Sequence, residues 1–240
     1  MSGATLRLRG LDAGYGPLQI LFGVDLVVGR GESVLVFGPN GAGKSTLMKA
    51  VVGQVAVLDG VVEYGGMDLA GLDSEEIVRR GIGYVPQLAN VFPGLTVEEN
   101  LEMGATMLPR RERRARVEAA LEARPVLAER RRQRAGSLSG GQRQILAMAR
   151  ALIPGPELLL LDEPSAGLAP VLIRELFEEV RRIAATGTSI LMVEQNAKQA
   201  LATVDRGYVL ENGRVRFEGP ASRLLEDHDV AELYLGVRRA

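Results

Sequence analysis

Val34-Leu35-Val36-Phe37-Gly38-Pro39-Asn40-Gly41-Ala42-Gly43-Lys44-Ser45-Thr46 decides the fold. Four apolar residues read as a buried strand, and the glycine-rich run that follows opens a helix expected from about Lys44 to Val52. That order of strand, loop and helix is a phosphate-binding loop. Glycines let the chain curl until successive N–H groups point inward at a polyphosphate. Lys44 then reaches the β/γ oxygens and the Ser45 hydroxyl can sit on Mg²⁺. Residues Gly38, Pro39, Asn40, Gly41, Ala42, Gly43, Lys44, Ser45 and Thr46 are therefore candidate nucleotide-binding residues. Only three of the 29 basic residues are lysine. One of them stands here, where a compact ammonium fits between phosphates and a planar guanidinium would not.

On either side of the loop the pattern is that of an α/β chain. Residues 5 to 9 and 24 to 28 alternate apolar and polar, and 61 to 64 form another short apolar run after Asp59-Gly60. These predict antiparallel strands with one exposed face. Residues 82 to 85, 157 to 161 and 189 to 193 are short apolar runs bounded by Gly, Pro or charge, as suits parallel strands covered on both faces. Ile173, Leu176, Phe177, Val180, Ile183 and Ala184 recur at helical spacing over 170 to 185, which predicts a core-packed helix.

The chain has 240 residues, enough for one large α/β domain. A net charge of -1 provides no global field to recruit nucleic acid or anionic lipid. Without cysteine there is neither a disulfide framework nor a thiolate metal site. The N-terminus MSGATLRLRG lacks the apolar region of a signal peptide, and no stretch approaches the roughly 20 apolar residues of a membrane span, so a soluble chain is expected.

Residues 94 to 137 differ in character, with sparse apolar positions and dense charge. Thr96 and Glu99 form a capping box for a helix from about Val97; Pro109 is expected to break it and Pro125 to break the next. Arginines at 110, 111, 113, 114 and 116, then 130, 131, 132 and 134, read as a solvated helix face, since no aromatic residue interleaves them and glutamates offset part of the charge.

Two further segments carry chemistry. Leu158 to Leu161 run directly into Asp162-Glu163-Pro164, delivering two carboxylates to the carboxyl edge of the sheet, where ligands of open α/β folds bind. Asp162 would hold Mg²⁺ through water. Glu163 would orient and deprotonate an attacking water, a role worth about 10²- to 10⁴-fold in rate. Taken alone, Asp-Glu-Pro reads first as a polar turn after a strand; the upstream loop gives it a purpose. Leu138-Ser139-Gly140-Gly141-Gln142 opens a helix with Ser139 and Gln142 placed as a capping box. On these residues it is either a well-capped helix or an anion site of bare first-turn amides.

LSGGQ, the phosphate loop, Gln87 after Tyr84-Val85-Pro86, and LLLLDEP together resemble the motif set of ATP-binding-cassette ATPases, over essentially the whole chain. The resemblance implies a P-loop NTPase of ABC type: a mostly parallel core with an antiparallel β subdomain (about 1–93 and 138–240) and an inserted helical subdomain (about 94–137), in one domain spanning 1–240. It implies ATP and Mg²⁺ as ligands. Two such subunits, identical or not, would pair head to tail, so that Ser139, Gly140, Gly141 and Gln142 of one act on the γ-phosphate held by the other. By motif match, Tyr15 stacks on adenine, Gln87 contacts Mg²⁺ and couples to membrane subunits, and Gln195 occupies the γ-phosphate sensor position usually held by histidine. An amide there cannot relay a proton, so the chemistry rests on Glu163. The only histidine, His228, is expected at the surface. Ala169 stands where many members have aspartate.

GLAP after Glu163, VEQN, FPGLTVEENL and RGYVLENG resemble one branch, the second ATPase of importers for branched-chain and other hydrophobic amino acids, which also includes urea and amide systems. This implies partnership with two transmembrane permease subunits, indirectly with a solute-binding protein, and a peripheral place on the cytoplasmic face of the membrane, without nucleic acid. A lipid or lipopolysaccharide exporter is the alternative. A DNA-repair ATPase is disfavoured because only 95 positions separate Lys44 from Ser139, too few for the long coiled coils of that class.

Overall fold

The computed structural model describes residues 4–88 and 90–234. The first three residues of the N-terminal segment, and the last six of the expected 138–240 span, lie outside the described residues. The chain begins with β1 (Ala4–Tyr15), β2 (Leu18–Gly29) and β3 (Ser33–Phe37), then α1 (Lys44–Val51), β4 (Ala56–Tyr64), β5 (Met67–Asp68), α2 (Ser74–Arg79) and β6 (Ile82–Val85). A helical stretch follows: α3 (Val97–Gly104), α4 (Arg110–Glu122), α5 (Pro125–Ala128) and α6 (Gly140–Leu152). The remainder alternates through β7 (Leu158–Asp162), α7 (Pro170–Ala185), β8 (Ser189–Glu194), α8 (Ala197–Leu201), β9 (Arg206–Glu211), β10 (Arg214–Pro220), α9 (Ala221–Glu226) and α10 (His228–Tyr234).

Two sheets result. One has the order β10-β9-β3-β8-β7-β6, parallel apart from the edge strand β10. The other, β2-β1-β4-β5, is antiparallel. Continuous apolar runs are required in the parallel sheet because alternate side chains enter different cores. Val34, Leu158, Leu160, Leu191 and Val193 join one cluster with the antiparallel sheet and α1; Leu35, Phe37, Leu159, Leu161, Ile190 and Met192 join a second with α7. Each fully buried aliphatic side chain contributes about 1.5–3 kcal/mol, so the edge that carries the loop is rigidly based.

Several elements exceed or differ from their sequence signal. β1 and β2 each run to 12 residues, and β4 starts at Ala56 instead of Val61. The register between β1 and β4 shifts between Arg9 and Asp12, opposite Asp59, so the bulge breaks the alternation that would have marked the full strands. The β9–β10 hairpin turns on Asn212-Gly213, both with positive φ (49° and 74°), the geometry of a two-residue primed turn.

The helical stretch also corrects the expected breaks. α3 ends at Gly104, ahead of Pro109, where a Cβ would lie 2.4 Å from the Arg150 carbonyl oxygen. α3 thus packs backbone-close on α6, and Pro109 serves as the cap of α4 instead. Residues 129 to 134 are not helical; they return beside the start of α3, with Val97 N–H donating to Gln133 O at 3.0 Å. Val97, Leu101, Val117, Leu121, Leu127, Leu138 and Leu146 form a third apolar cluster around these helices. The arginine runs are largely solvated as expected, but Arg131 bridges Glu98 and Glu118, and Arg124 reaches Glu179 on α7 at 2.8 Å.

Candidate nucleotide site

The loop 38–46 leaves β3 at the carboxyl edge of the parallel sheet. Gly38 has no alternative there: its φ is 155°, and a Cβ would meet Leu210 O at 1.9 Å. Gly43 caps α1 in the left-handed region (φ 102°) and makes no side-chain cap bond to the first amides of α1. The β9–β10 turn braces the loop from outside, Gly213 N–H donating to Ala42 O at 2.9 Å.

Around this loop five predicted residues come together. Lys44 is 4% exposed, its Nζ donating to the carbonyls of Gly38 (3.0 Å) and Pro39 (3.1 Å) and lying 3.7 Å from Glu163 Oε1. Ser45 Oγ donates to Asp162 Oδ1 at 3.1 Å. Gln87 Nε2 donates to Glu163 Oε2 at 2.8 Å, so this glutamine lies against the candidate base. Glu163 has φ 44°, a costly conformation for a residue with a side chain, and its N–H is fixed to Val193 O at 2.9 Å. In this conformation the carboxylate meets Gln87 and Lys44. Burial pushes the Asp162 carboxyl above its ordinary range; the Ser45 bond pulls it back, the Glu163 charge raises it further, and the Tyr84 bond and Lys49 oppose that.

The donor set fits Mg²⁺. Ser45 and Asp162 are adjacent hard oxygen donors, and no group of three or more ligating side chains occurs among the described residues. A cation held by one or two protein oxygens, with phosphate and water completing an octahedron, is Mg²⁺ chemistry.

Tyr15 is 45% exposed at the end of β1, with Lys49 Nζ 5.9 Å from its ring centroid. Gln195 is exposed just past β8, whose Glu194 pairs with Phe37, so it emerges at the same sheet edge as Gly38. His228 is exposed on α10. The segment 139–142 behaves differently. Ser139 Oγ accepts from Gln142 N–H (3.3 Å) and Gln142 Oε1 from Ser139 N–H (3.1 Å), closing the expected capping box on itself. Leu168 packs on Gly140 and Leu172 on Gly141, so a Cβ at Gly140 would lie 2.9 Å from a Leu168 methyl and that side chain would have to move. Ser139 itself is exposed, and α6 packs on α3, α5, α7 and β6, whereas α1 packs on β1, β2, β4, β7 and β8. A groove of about 720 Å³ lies elsewhere again, between α3 and α4, lined by Glu98, Glu102, Met103, Arg113 and Arg131.

Three residues of the site were not singled out from the sequence. Tyr84 OH donates to Asp162 Oδ2 at 3.4 Å. Ser165 and Glu194 bond to each other behind Glu163. A glutamate closing the apolar strand Ser189–Glu194 was the available signal, because an unpaired charge is not buried there without cause.

This fold and site define a P-loop nucleotide-binding ATPase. Residues 21–166 match the ABC transporter family, more than half of the chain, and the chain belongs to that family as one of its ATPases. It is 46% identical over 222 residues to the high-affinity branched-chain amino acid transport ATP-binding protein BraG of Pseudomonas aeruginosa, covering 92% of this chain and 95% of that one. It is 42% identical over 233 residues to the probable branched-chain amino acid transport ATP-binding protein LivF of Archaeoglobus fulgidus (97% and 99% covered). Among solved structures it is similar to the ADP conformation of an ATP-binding cassette of an ABC transporter, with a TM-score of 0.85, 30% identity and 98% and 100% covered. A dimeric post-hydrolysis cassette bound to ADP and Pi is similar with a TM-score of 0.77 and 27% identity (90% and 98% covered).

Proposed function

We propose that the chain is the ATP-hydrolysing subunit of an importer for branched-chain or other hydrophobic amino acids. In this reading it is one cassette, with 94–137 as a helical insertion, working at the cytoplasmic face of the membrane. No helix among the described residues is long and apolar enough to cross a membrane, so attachment would be through two permease subunits. The solute follows from the names of the relatives, since solute contacts belong to other polypeptides.

The loop amides and Lys44 would take the triphosphate, Lys44 exchanging the Gly38 and Pro39 carbonyls for β/γ oxygens. Tyr15 would offer its open face to adenine. Ser45 and Asp162 would hold Mg²⁺, which supplies neutralisation of phosphate charge. Glu163, positioned by Val193 O and Gln87, would orient the water and accept its proton, with Gln195 donating a hydrogen bond near the γ-phosphate. Ser139, Gly140, Gly141 and Gln142 would complete a partner subunit's site.

One observation carries the composite site: the loop cluster is assembled in the single chain, while the capped, exposed start of α6 is built on a different set of elements. A similar cassette is dimeric with ADP and Pi bound, which supports pairing of two such subunits. The test for transport is reconstitution with the permease pair and binding protein in lipid vesicles. Leucine, isoleucine or valine should stimulate ATP turnover and enter the vesicle; stimulation by urea alone would contradict the assigned solute.

A further inference from the structure

Glu194 is 1% exposed, yet its carboxylate is fully occupied by donors from two loops. Oε1 accepts from Ser165 N–H at 2.7 Å; Oε2 accepts from Ser165 Oγ–H at 2.8 Å, from Gln195 N–H at 3.1 Å and from Asn196 N–H at 3.4 Å. Ser165 lies two residues beyond Glu163, across Pro164, which has no N–H to offer. The turn that carries Glu163 is thus pinned to β8 at two points on either side of that proline, Glu163 N–H on Val193 O and Ser165 on Glu194. The same turn continues through Leu168, whose N–H donates to Ser165 O at 3.2 Å and whose side chain covers Gly140.

We propose that Glu194 is a positioning residue for hydrolysis: one buried carboxylate that fixes the Glu163 turn and the Gln195 loop in a single register. Only a carboxylate fits this role, because all four partners donate and none accepts toward it in this geometry. A glutamine would present an N–H₂ to donors on one side, and the site would keep its shape while losing a fixed relation between base and sensor. Burial pushes the Glu194 carboxyl above its ordinary range, and the bonds from Ser165, Asn196 and Gln195 pull it back, so the ion depends on them. Misplacement of a general base by a fraction of an ångström costs turnover while leaving ground-state nucleotide contacts alone.

The inference rests on the hydrolysis reading above, and the experiment separates the two. Steady-state ATP turnover and binding of a fluorescent ATP analogue are measured for the full chain and for Glu194→Gln, Ser165→Ala, the double variant and Glu163→Gln. Glu194→Gln should lower kcat about tenfold with KM and analogue affinity within about twofold; Ser165→Ala should lower kcat about threefold, and the double variant should be no slower than Glu194→Gln. Should Glu194→Gln fail to fold, Ser165→Ala decides alone by the same kcat and KM criterion. Wild-type kcat in both, or losses confined to KM, overturns the inference. Turnover surviving in Glu163→Gln overturns the hydrolysis reading instead.

Discussion

Glu163 combines the strain and the contacts expected of a base: positive φ, a bond from Gln87 and a lysine ammonium 3.7 Å away. Glu163→Gln removes the proton acceptor while keeping the size of the side chain. It should bind ATP normally and lose at least about 100-fold in turnover, accumulating an ATP-bound dimer visible by size-exclusion chromatography. Turnover within twofold of wild type would mean that the base is another group. His228→Ala, by contrast, should leave hydrolysis unchanged, because the ring is exposed on α10, outside the cluster around Lys44 and Glu163. At this scale the sequence was informative. Local motifs mark Lys44, Ser45, Asp162 and Glu163, the family resemblance marks Gln87, and the five meet within hydrogen-bond or ion-pair distance. What local motifs could not reveal was Glu194 with Ser165, a contact between residues 29 positions apart with no spacing rule to betray it.

Elements carry the loop's rigidity. Gly213 in the β9–β10 turn has φ 74°, and a Cβ there would lie 2.0 Å from Ile20 O, while its N–H holds Ala42. Gly213→Ala should therefore cost about 1–3 kcal/mol by thermal melting and also weaken nucleotide binding, which a remote turn would not do. A result with lost stability and unchanged affinity would free the loop from its brace. The capping box of α3 gives a pH test. Bonds from the Thr96 backbone and hydroxyl hold the Glu99 carboxyl below its ordinary range, and the Arg131 bond does the same for Glu98. Their contribution is thus fully present above the ordinary carboxylate pKa and is lost as pH falls through the lowered values. Acidification below about pH 4.5 should loosen the helices at 97–128 first, read by hydrogen exchange. Strand limits were the least legible feature here, since the bulge opposite Asp59 hides the period that the strands otherwise obey.

For the whole molecule, the two halves of the proposed chemistry are held on different scaffolds. The loop and its carboxylates sit on the parallel sheet; the start of α6 belongs to the helical cluster and to the turn after Glu163. Arg124 and Glu179 join that helical cluster to α7 as an ion pair exposed by only 12% and 4%. Arg182 still bonds Glu179 Oε2 at 2.9 Å, so Arg124→Ala leaves the buried carboxylate half-compensated and should cost about 1–3 kcal/mol in denaturant unfolding, against near zero for exposed Arg111→Ala. The fold class was readable because continuous apolar strands and a loop motif are local; the placing of the loop and the start of α6 on different elements is a property of packing, and only the resemblance to a family anticipated it.

Mixing two inactive chains tests the shared site most directly. A Lys44→Ala chain and a Ser139→Ala chain are each purified, shown to lack turnover, combined, and assayed for ATP hydrolysis. In a mixed pair the intact loop of one molecule faces the intact helix start of the other, so about a quarter of wild-type activity should return when chains pair at random and sites act independently. No recovery at any ratio, with mixed dimers demonstrated, would contradict a nucleotide held between two subunits.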